Sequence, residues 1–495
     1  MKLRKYLAIS VLAVGLLSSC DLDLAPYNAI DTSLAFTSVA DAQKWDTKFY
    51  ADLRGRVYGH YIMSPDIQAD QLNATADYGN NYGAVHRWSD LIADNYQVRD
   101  VWQGYYSALN NVNAAIQGFA TISPKTDAEA ENLKKYIGDA HLARAYYYYM
   151  LVNRYAKAYN ASTAASDLGV PLVLVPDLNG TPSRSTVKEV YDQILADLAI
   201  AKSNLSTVVG KVNADKFNKD VVSALEAKIM LSMGNWDSAK TAAETLINSG
   251  TYKLYTTAAD VKKMWHEDAP NETIFAPFVS MNEGANTNTI YIGYNANDKK
   301  YRPFFIPSKW VIDYYADSDF RKNAYFLKDA TINQGGKDYK GTIVNKYPGN
   351  PALYTGVTNY LHAPKVFRIA EMYLIASEAS FRANPSNTQA ALSHLNALRT
   401  ARGLDALTGL SGNALFTEIK AERFRELAFE GQRLDDLKRW GEGFTRRDNQ
   451  TPSELIQVGP DFNTKSVQAS DNKFVWGIPD RDVVANPNIV QNPGW

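Results

Sequence analysis

The sequence of 495 residues contains a single cysteine, Cys20, and no excess of charge of either sign. One cysteine excludes an intrachain disulfide and a thiolate zinc cluster. The 52 basic side chains are matched by 53 acidic ones, a formal net charge of -1, so no global positive field draws nucleic acid. Charged residues make up 21% and apolar residues 45% of the chain, which excludes a disordered polyampholyte and indicates a globular protein.

Catalytic and metal-binding signatures are also missing from the sequence. It has no HExxH, GxSxG, Walker A, GxGxxG or EF-hand pattern, and its six histidines form no close pair with metal-ligand spacing. These absences predict a protein that is not an enzyme and that has no cofactor and no metal site, while a metal ion that steadies a loop stays open. A glycosidase stays open at this point, because it needs only two carboxylates brought together in space.

The N-terminal residues have the pattern of a secretory signal. Lys2, Arg4 and Lys5 precede an apolar run over residues 6–17. This run is shorter than the roughly 20 residues of a membrane-spanning helix, and no other apolar run of spanning length is present. The sequence therefore predicts a cleaved signal peptide and no spanning helix in the mature protein.

Cys20 stands at the end of a bacterial lipobox, Leu17-Ser18-Ser19-Cys20. In this motif the cysteine becomes the first mature residue and carries acyl chains; a signal peptide with an incidental cysteine is the alternative. Each buried acyl methylene contributes about 0.8 kcal/mol of membrane affinity. We therefore expect residues 1–19 to be the signal peptide, residues 20–38 to be a lipidated tether, and the protein to be anchored to a bilayer outside the cytoplasm.

Beyond the tether, apolar and small residues recur at three- and four-residue spacing, which predicts a mainly α-helical protein. The stretch from Ala224 to Ala243 is similar to a tetratricopeptide unit, since small residues on two helices flank the turn Gly234-Asn235-Trp236. A second such unit spans residues 372–399. With the helix pairs in residues 101–155 and 187–247, the pattern predicts a scaffold of four tetratricopeptide-like hairpins.

Residues from about 250 to 365 have a different character. Glycine, asparagine and aromatic residues are interspersed there, short strands are predicted, and one convincing helix runs from Ser308 to Tyr315. Loops of this length inside a compact protein are uncommon unless they bind something. We therefore expect one domain over residues 39–495, with a helical scaffold at about 39–250 and 365–445 and a loop-rich ligand-binding part at about 250–365.

Several stretches carry a resemblance to a known family. They are the lipoprotein start at 20–23, the helix 367–379 with the sequence FRIAEMYLIASEA, the charged segment 422–440 with the sequence ERFRELAFEGQRLDDLKRW, and the end of the chain, WGIP at 476–479 and NPNIVQNPGW at 486–495. Together they resemble the SusD/RagB family of surface nutrient-binding lipoproteins of Bacteroidetes outer membranes. The stretch from Ile306 to Lys322 is similar to the RagB branch.

The resemblance implies a fold and a role. Family members place four tetratricopeptide-like helix pairs under a more variable ligand-binding part. They cover a TonB-dependent transporter of the SusC type and pass it oligosaccharides or, in the RagB branch, oligopeptides. The resemblance implies no catalysis.

Candidate ligand residues lie in two loop segments, from Asp66 to Arg99 and from Asn282 to Phe305. Sugar binding in water needs flat aromatic faces for the C–H side of the ring, and amide or charged groups for the hydroxyls. Both segments supply these groups, and family members take ligand-contacting aromatics from the corresponding loops. The candidates are Trp88 and Tyr291, followed by Tyr82, Tyr294, Asn81 and Arg87.

Other aromatic and charged residues are interpreted as structural. Trp102, Trp236, Trp310 and Trp440 fall on apolar helix faces and are predicted to be core residues. The charges from Glu422 to Arg439 are spaced three or four residues apart on helices, where they support one another or tie helices together.

The sequence thus predicts a lipid-anchored outer-membrane protein that faces the cell exterior, binds oligosaccharides and delivers them to a SusC-like TonB-dependent transporter. Two alternatives stay open, an oligopeptide-binding subunit of the same type of transporter and a helical-repeat scaffold that binds only protein partners. The chain does not name the glycan.

Overall fold

A computed structural model describes residues 35–177, 179–284 and 290–495. The predicted signal peptide, the lipidation site Cys20 and most of the predicted tether lie outside the described residues. Among the residues that are described, no helix combines the length and the apolar character needed to cross a membrane.

Helices dominate the first half of the chain. Its helices and strands are α1 (Val39–Arg54), α2 (His60–Gln68), β1 (Leu72–Ala74), α3 (Gly83–Arg87), α4 (Tyr96–Phe119), α5 (Asp127–Tyr155), α6 (Val187–Asn204), α7 (Lys219–Met233), α8 (Trp236–Asn248) and α9 (Ala258–His266). Short strands and helices then alternate in the second half. They are β2 (Thr273–Phe275), β3 (Tyr294–Asn295), β4 (Lys300–Tyr301), β5 (Phe305–Pro307), α10 (Lys309–Asp313), α11 (Lys322–Tyr325), β6 (Phe326–Gln334), β7 (Lys337–Val344), β8 (Phe367–Arg368), α12 (Ile369–Ala383), α13 (Thr388–Ala401), α14 (Gly412–Leu427), α15 (Arg433–Trp440), β9 (Phe444–Thr445), β10 (Ser466–Val467) and α16 (Asp480–Ala485).

Helix hairpins form the scaffold, as the sequence predicts. Helices α4 and α5, α7 and α8, and α12 and α13 pack against each other within each pair, while α6 packs on α5 and α12 packs on α8. The strands form a four-stranded sheet in the order β3-β4-β6-β7 and the two-stranded ladders β1–β5, β2–β8 and β9–β10. The predicted fold class, mainly α with short strands, is confirmed.

The α7–α8 hairpin shows why its sequence makes a tight helix turn. Gly234 has the left-handed conformation (φ 72°) that a side chain disfavours. Its N–H donates to the carbonyls of Leu231 and Met230 at the end of α7. The Asn235 side chain accepts the Ser238 N–H and so caps α8. Ala227 and Ala239 are fully buried, and small residues of this kind let the two helices approach closely.

The region between residues 250 and 365 has more regular structure than the sequence predicts. Helix α9 was missed, although Thr257 caps it and Val261, Met264 and Trp265 are buried at helical spacing. The expected helix at 308–315 is the shorter α10. The region also contains a long antiparallel pair, β6 and β7, that carries the four-stranded sheet.

A buried cluster of charges ties the scaffold to this region. The carboxylate of Glu426 in α14 is fully buried and accepts from Arg321, Arg368 and Arg402, with N···O distances of 3.1, 2.7 and 2.9 Å. Burial alone would raise the pKa of Glu426, but the guanidinium groups of Arg402, Arg368 and Arg321 hold it well below its usual range. These contacts have the structural role predicted for the charged segment.

Candidate functional site

An open groove lies between α10, α14, α15 and the β9–β10 ladder. Its volume is about 570 Å³. Three of its lining residues are aromatic and accessible from solvent: Tyr314 is 38% exposed, and Trp310 and Trp440 are half-buried. We call this feature the aromatic groove.

Helix α10 supplies the aromatic floor of the groove. Trp310 and Tyr314 stand four residues apart and therefore share a helix face. Both rings rest on Phe424 of α14, which is 7% exposed: Trp310 stacks on it with ring centres 5.0 Å apart, and Tyr314 meets it edge-on at 5.6 Å. Burial raises the pKa of Tyr314, so its phenol stays neutral and can donate a hydrogen bond.

Backbone pairing fixes where this floor stands. Strand β1 pairs with β5 in antiparallel register, and the Ser308 N–H donates to the Gln71 carbonyl at 3.0 Å. The start of α10 is thereby held beside Asp70, which follows α2. The segment from residue 66 to 99, which the sequence predicts as a loop, contains β1, α3 and the start of α4, and it reaches the groove through Asp70.

The opposite wall comes from the end of α15. Trp440 is the last residue of that helix, and its indole N–H donates to Glu378 at 3.1 Å. Burial opposes ionisation of Glu378, but Arg439 holds the pKa of this carboxylate below its usual value. Gly441 then adopts a left-handed conformation (φ 68°) that ends the helix and directs the chain into β9. The indole ring is therefore fixed in orientation at the groove wall.

Most charges in the groove are neutralised by partners. Arg433 forms a two-point contact with Asp70, at 2.9 and 2.7 Å, and Lys420 pairs with Glu442. Polar side chains that can satisfy hydroxyl groups complete the lining: Thr417, Thr445, Ser466 and Gln468. The indole N–H of Trp310 is buried and finds no hydrogen-bond partner among the described residues.

The acidic side chains that line the groove are both paired with basic ones. They are Asp70, which contacts Arg433, and Glu442, which contacts Lys420. Over the described parts of the chain, no group of three or more His, Cys, Asp or Glu side chains is arranged to hold a metal ion. The arrangement is suited to binding a flat, hydroxyl-rich ligand.

Three of the sequence-predicted ligand residues are instead core residues. Trp88, Tyr291 and Tyr82 are 2%, 1% and 5% exposed. The Trp88 indole N–H donates to the Gln68 carbonyl at 2.7 Å, and Tyr82 contacts the ring of His60. Their rings have no face free for a ligand, so the structure corrects this part of the prediction. Trp88 does pack against Phe444, a residue that lines the groove, with ring centres 5.7 Å apart.

The other three predicted residues are more accessible. Asn81 is half-buried, and its amide donates to the Tyr78 carbonyl. Arg87, the last residue of α3, contacts the Tyr78 hydroxyl at 2.7 Å and pairs with Asp90, so Asn81 and Arg87 both contact Tyr78. Tyr294 lies in β3, half-buried against Tyr301. Their role as ligand contacts stays a prediction.

Two tryptophans that the sequence assigned to the core belong to the groove. Trp310 and Trp440 are half-buried and line it, whereas Trp102 is 4% exposed, as predicted. Trp236 is half-buried on α8, outside the groove. A signal was present for Trp310, because Tyr314 follows it four residues later and doubles the aromatic surface on one helix face.

Comparison with known proteins assigns the family. The model of the SusD family matches residues 236–495, and a second model, described as starch-binding associating with outer membrane, matches residues 22–231. The chain belongs to the SusD family. The first match alone covers more than half of this SusD-family chain, and the two together cover almost all of it.

Individual SusD-like proteins align with the chain over nearly its full length. SusD-like protein P38 of Formosa agariphila is 23% identical to the chain, and the alignment covers 99% of both. The crystal structure of a SusD superfamily protein from Bacteroides thetaiotaomicron is 25% identical, covers 92% of this chain and 100% of its own, and has a TM-score of 0.79. A SusD-like carbohydrate binding protein from Bacteroides vulgatus is 21% identical, with 92% and 98% coverage and a TM-score of 0.75.

Proposed function

We propose that this chain captures oligosaccharides in the aromatic groove and delivers them to a SusC-like TonB-dependent transporter. The observation that carries the proposal is the floor formed by Trp310 and Tyr314, with Trp440 across from it. Aromatic faces cover the apolar C–H side of a sugar ring, and side-chain hydroxyls and amides can satisfy its hydroxyl groups. The carbohydrate-binding relative from Bacteroides vulgatus supports a glycan as the ligand.

Replacing Trp310 by alanine tests the groove. We expect affinity for a retained polysaccharide to fall by at least tenfold, about 1.4 kcal/mol, because the ligand loses the largest apolar surface of the floor. Affinity electrophoresis on a panel of neutral and acidic polysaccharides measures this, with oligopeptides tested in parallel by calorimetry. Trp236→Ala is the matched control, because Trp236 is also half-buried. Each of the two indole rings has an arginine beside it: Arg382 lies 4.9 Å from the ring centre of Trp236, and Arg447 lies 5.2 Å from that of Trp310.

The outcomes of this experiment separate the functions. Retention that is lost in Trp310→Ala and kept in Trp236→Ala supports glycan binding in the groove. Retention that is equal in all three proteins places the ligand elsewhere, and binding of oligopeptides alone favours the peptide-binding alternative. Hydrolysis of any polysaccharide would overturn the binding role.

The location of the protein follows from Cys20 in this proposal. Acyl chains on Cys20 anchor the protein in the outer membrane, facing the cell exterior, where it can cover a transporter. The family description associating with outer membrane supports this location. We expect Cys20→Ala to move the protein from the membrane fraction to the soluble fraction, measured by fractionation and immunoblotting. A variant that stays with the membrane would contradict lipidation at this residue.

A further inference from the structure

Arg447 stands out among the charges of the aromatic groove because no close partner holds it within the described parts of the chain. Its side chain is 63% exposed, and its nearest carboxylate is the equally exposed Asp448, at 3.7 Å. A pair of this kind, in water and longer than a hydrogen bond, contributes little. The guanidinium carbon of Arg447 nevertheless lies 5.2 Å from the ring centre of Trp310, over the floor of the groove.

The other two cations of the groove also stand next to aromatic rings. The guanidinium of Arg433 lies 5.0 Å from the ring centre of Phe424, and the ammonium of Lys420 lies 5.8 Å from that of Trp440. Arg433 contacts Asp70 through Nε and Nη2. Guanidinium and ammonium groups can only donate hydrogen bonds. A ligand that enters this groove is therefore next to hydrogen-bond donors that lie beside the aromatic rings of the groove.

The side chains that line the groove include one more cation than anion. Among the described lining residues, three are cationic (Lys420, Arg433 and Arg447) and two are anionic (Asp70 and Glu442). Both carboxylates are neutralised by Lys420 and Arg433, so they repel an incoming anion only weakly. Arg447 is the cation that remains for a ligand, and its planar fork matches a carboxylate or sulfate group at two points.

We infer that the aromatic groove selects anionic glycans, with Arg447 binding the carboxylate or sulfate of a sugar whose ring lies on Trp310 and Tyr314. This inference rests on the proposed function and adds the chemical class of the ligand to it. A glycan fits better than an acidic peptide, because the donors lie beside flat rings and hydroxyl-bearing side chains complete the lining. The charge interaction is at the surface and is therefore sensitive to salt, since the screening length is about 10 Å at 0.1 M.

Matched pairs of polysaccharides test this selection. Polygalacturonate and its methyl ester share one backbone and differ in their free carboxylates; dextran sulfate and dextran differ in sulfate. We expect the wild-type protein to bind at least one acidic member about tenfold or more tightly than its neutral partner, and less tightly as salt is raised. In Arg447→Gln the ratio of acidic to neutral affinity should fall by about tenfold, and Arg447→Lys should restore only part of it.

A control variant and three contrary results complete this test of anionic-glycan selection. Arg481→Gln removes another exposed arginine, in α16 outside the groove, and should leave the ratio unchanged. An equal ratio in wild type and Arg447→Gln overturns the inference, while the proposed function stands as long as Trp310→Ala still loses affinity. Retention of none of the four polysaccharides also overturns the inference, and the proposed function is then decided by the wider polysaccharide panel and Trp310→Ala. Equally tight, Arg447-dependent binding of poly-L-glutamate overturns selection of a glycan.

Discussion

Replacing Glu426 by glutamine is expected to lower the free energy of unfolding by about 3–5 kcal/mol, the usual cost of removing one partner from a buried ion pair. The Glu426 carboxylate is the common acceptor of Arg321, Arg368 and Arg402, and all four side chains are 0–1% exposed. Glutamine keeps the shape but removes the charge. The three buried guanidinium groups then lose one negatively charged partner. The other carboxylates of the cluster, such as Glu272 and Glu430, already form ion pairs and cannot replace it.

Chemical denaturation of the wild type and of Glu426→Gln measures this effect. Asp192→Asn is the control, because Asp192 and Lys188 form a surface pair with side chains 54% and 53% exposed, and pairs of that kind contribute about 0–1 kcal/mol. A loss of less than 1 kcal/mol for Glu426→Gln would contradict a structural role for the cluster. Material that remains folded should still bind polysaccharide, because the cluster lies outside the aromatic groove.

Asp66 is expected to make the protein less stable as pH rises from about 4 to about 7. Burial raises the pKa of this fully buried carboxyl to about 7, although the Gly431 N–H donates to it at 2.8 Å. In the unfolded chain its pKa is about 4. Between these values the folded state binds more protons than the unfolded state, so the free energy of unfolding falls with increasing pH. At about 1.4 kcal/mol per pKa unit, the total is about 4 kcal/mol.

Denaturation curves at several pH values test this account of Asp66. In Asp66→Asn the pH-dependent loss disappears, so the stability of the variant relative to wild type should rise by about 4 kcal/mol between pH about 4 and about 7. Other carboxylates titrate in both proteins, and their effects cancel in this difference. Asp192→Asn again serves as the control. Parallel pH profiles for wild type and Asp66→Asn would show that Asp66 is ionised in the folded protein.

The scaffold was predictable because its information is local. In the α7–α8 hairpin, Gly234, Asn235 and the flanking alanines determine the turn and the close approach of the helices within twenty residues of one another. Helix α9 was equally local but was missed, because the surrounding glycine and asparagine residues drew the interpretation towards loops. Its cap at Thr257 and the spacing of Val261, Met264 and Trp265 are the signals to weigh more heavily.

The aromatic groove was not predictable from any one stretch of sequence. Trp310, Trp440 and Ser466 come from distant parts of the chain, and β1–β5 pairing, the end of α15 and the β9–β10 ladder bring them together. Taken alone, each tryptophan has the helical spacing of a core residue. Trp88 misled in the opposite direction: its loop is polar, but the chain turns at Trp88 with φ 66° and the ring packs on Phe444 and Phe474.

A crystal structure with a bound oligosaccharide tests the central claim most directly. The ligand should be the shortest oligomer of whichever polysaccharide the protein retains in affinity electrophoresis. The account predicts a sugar ring against Trp310 and Tyr314, with Trp440 on the opposite side of the groove. Ligand density on another surface, such as the one around Tyr78, Asn81 and Arg87, with an empty aromatic groove, would contradict it.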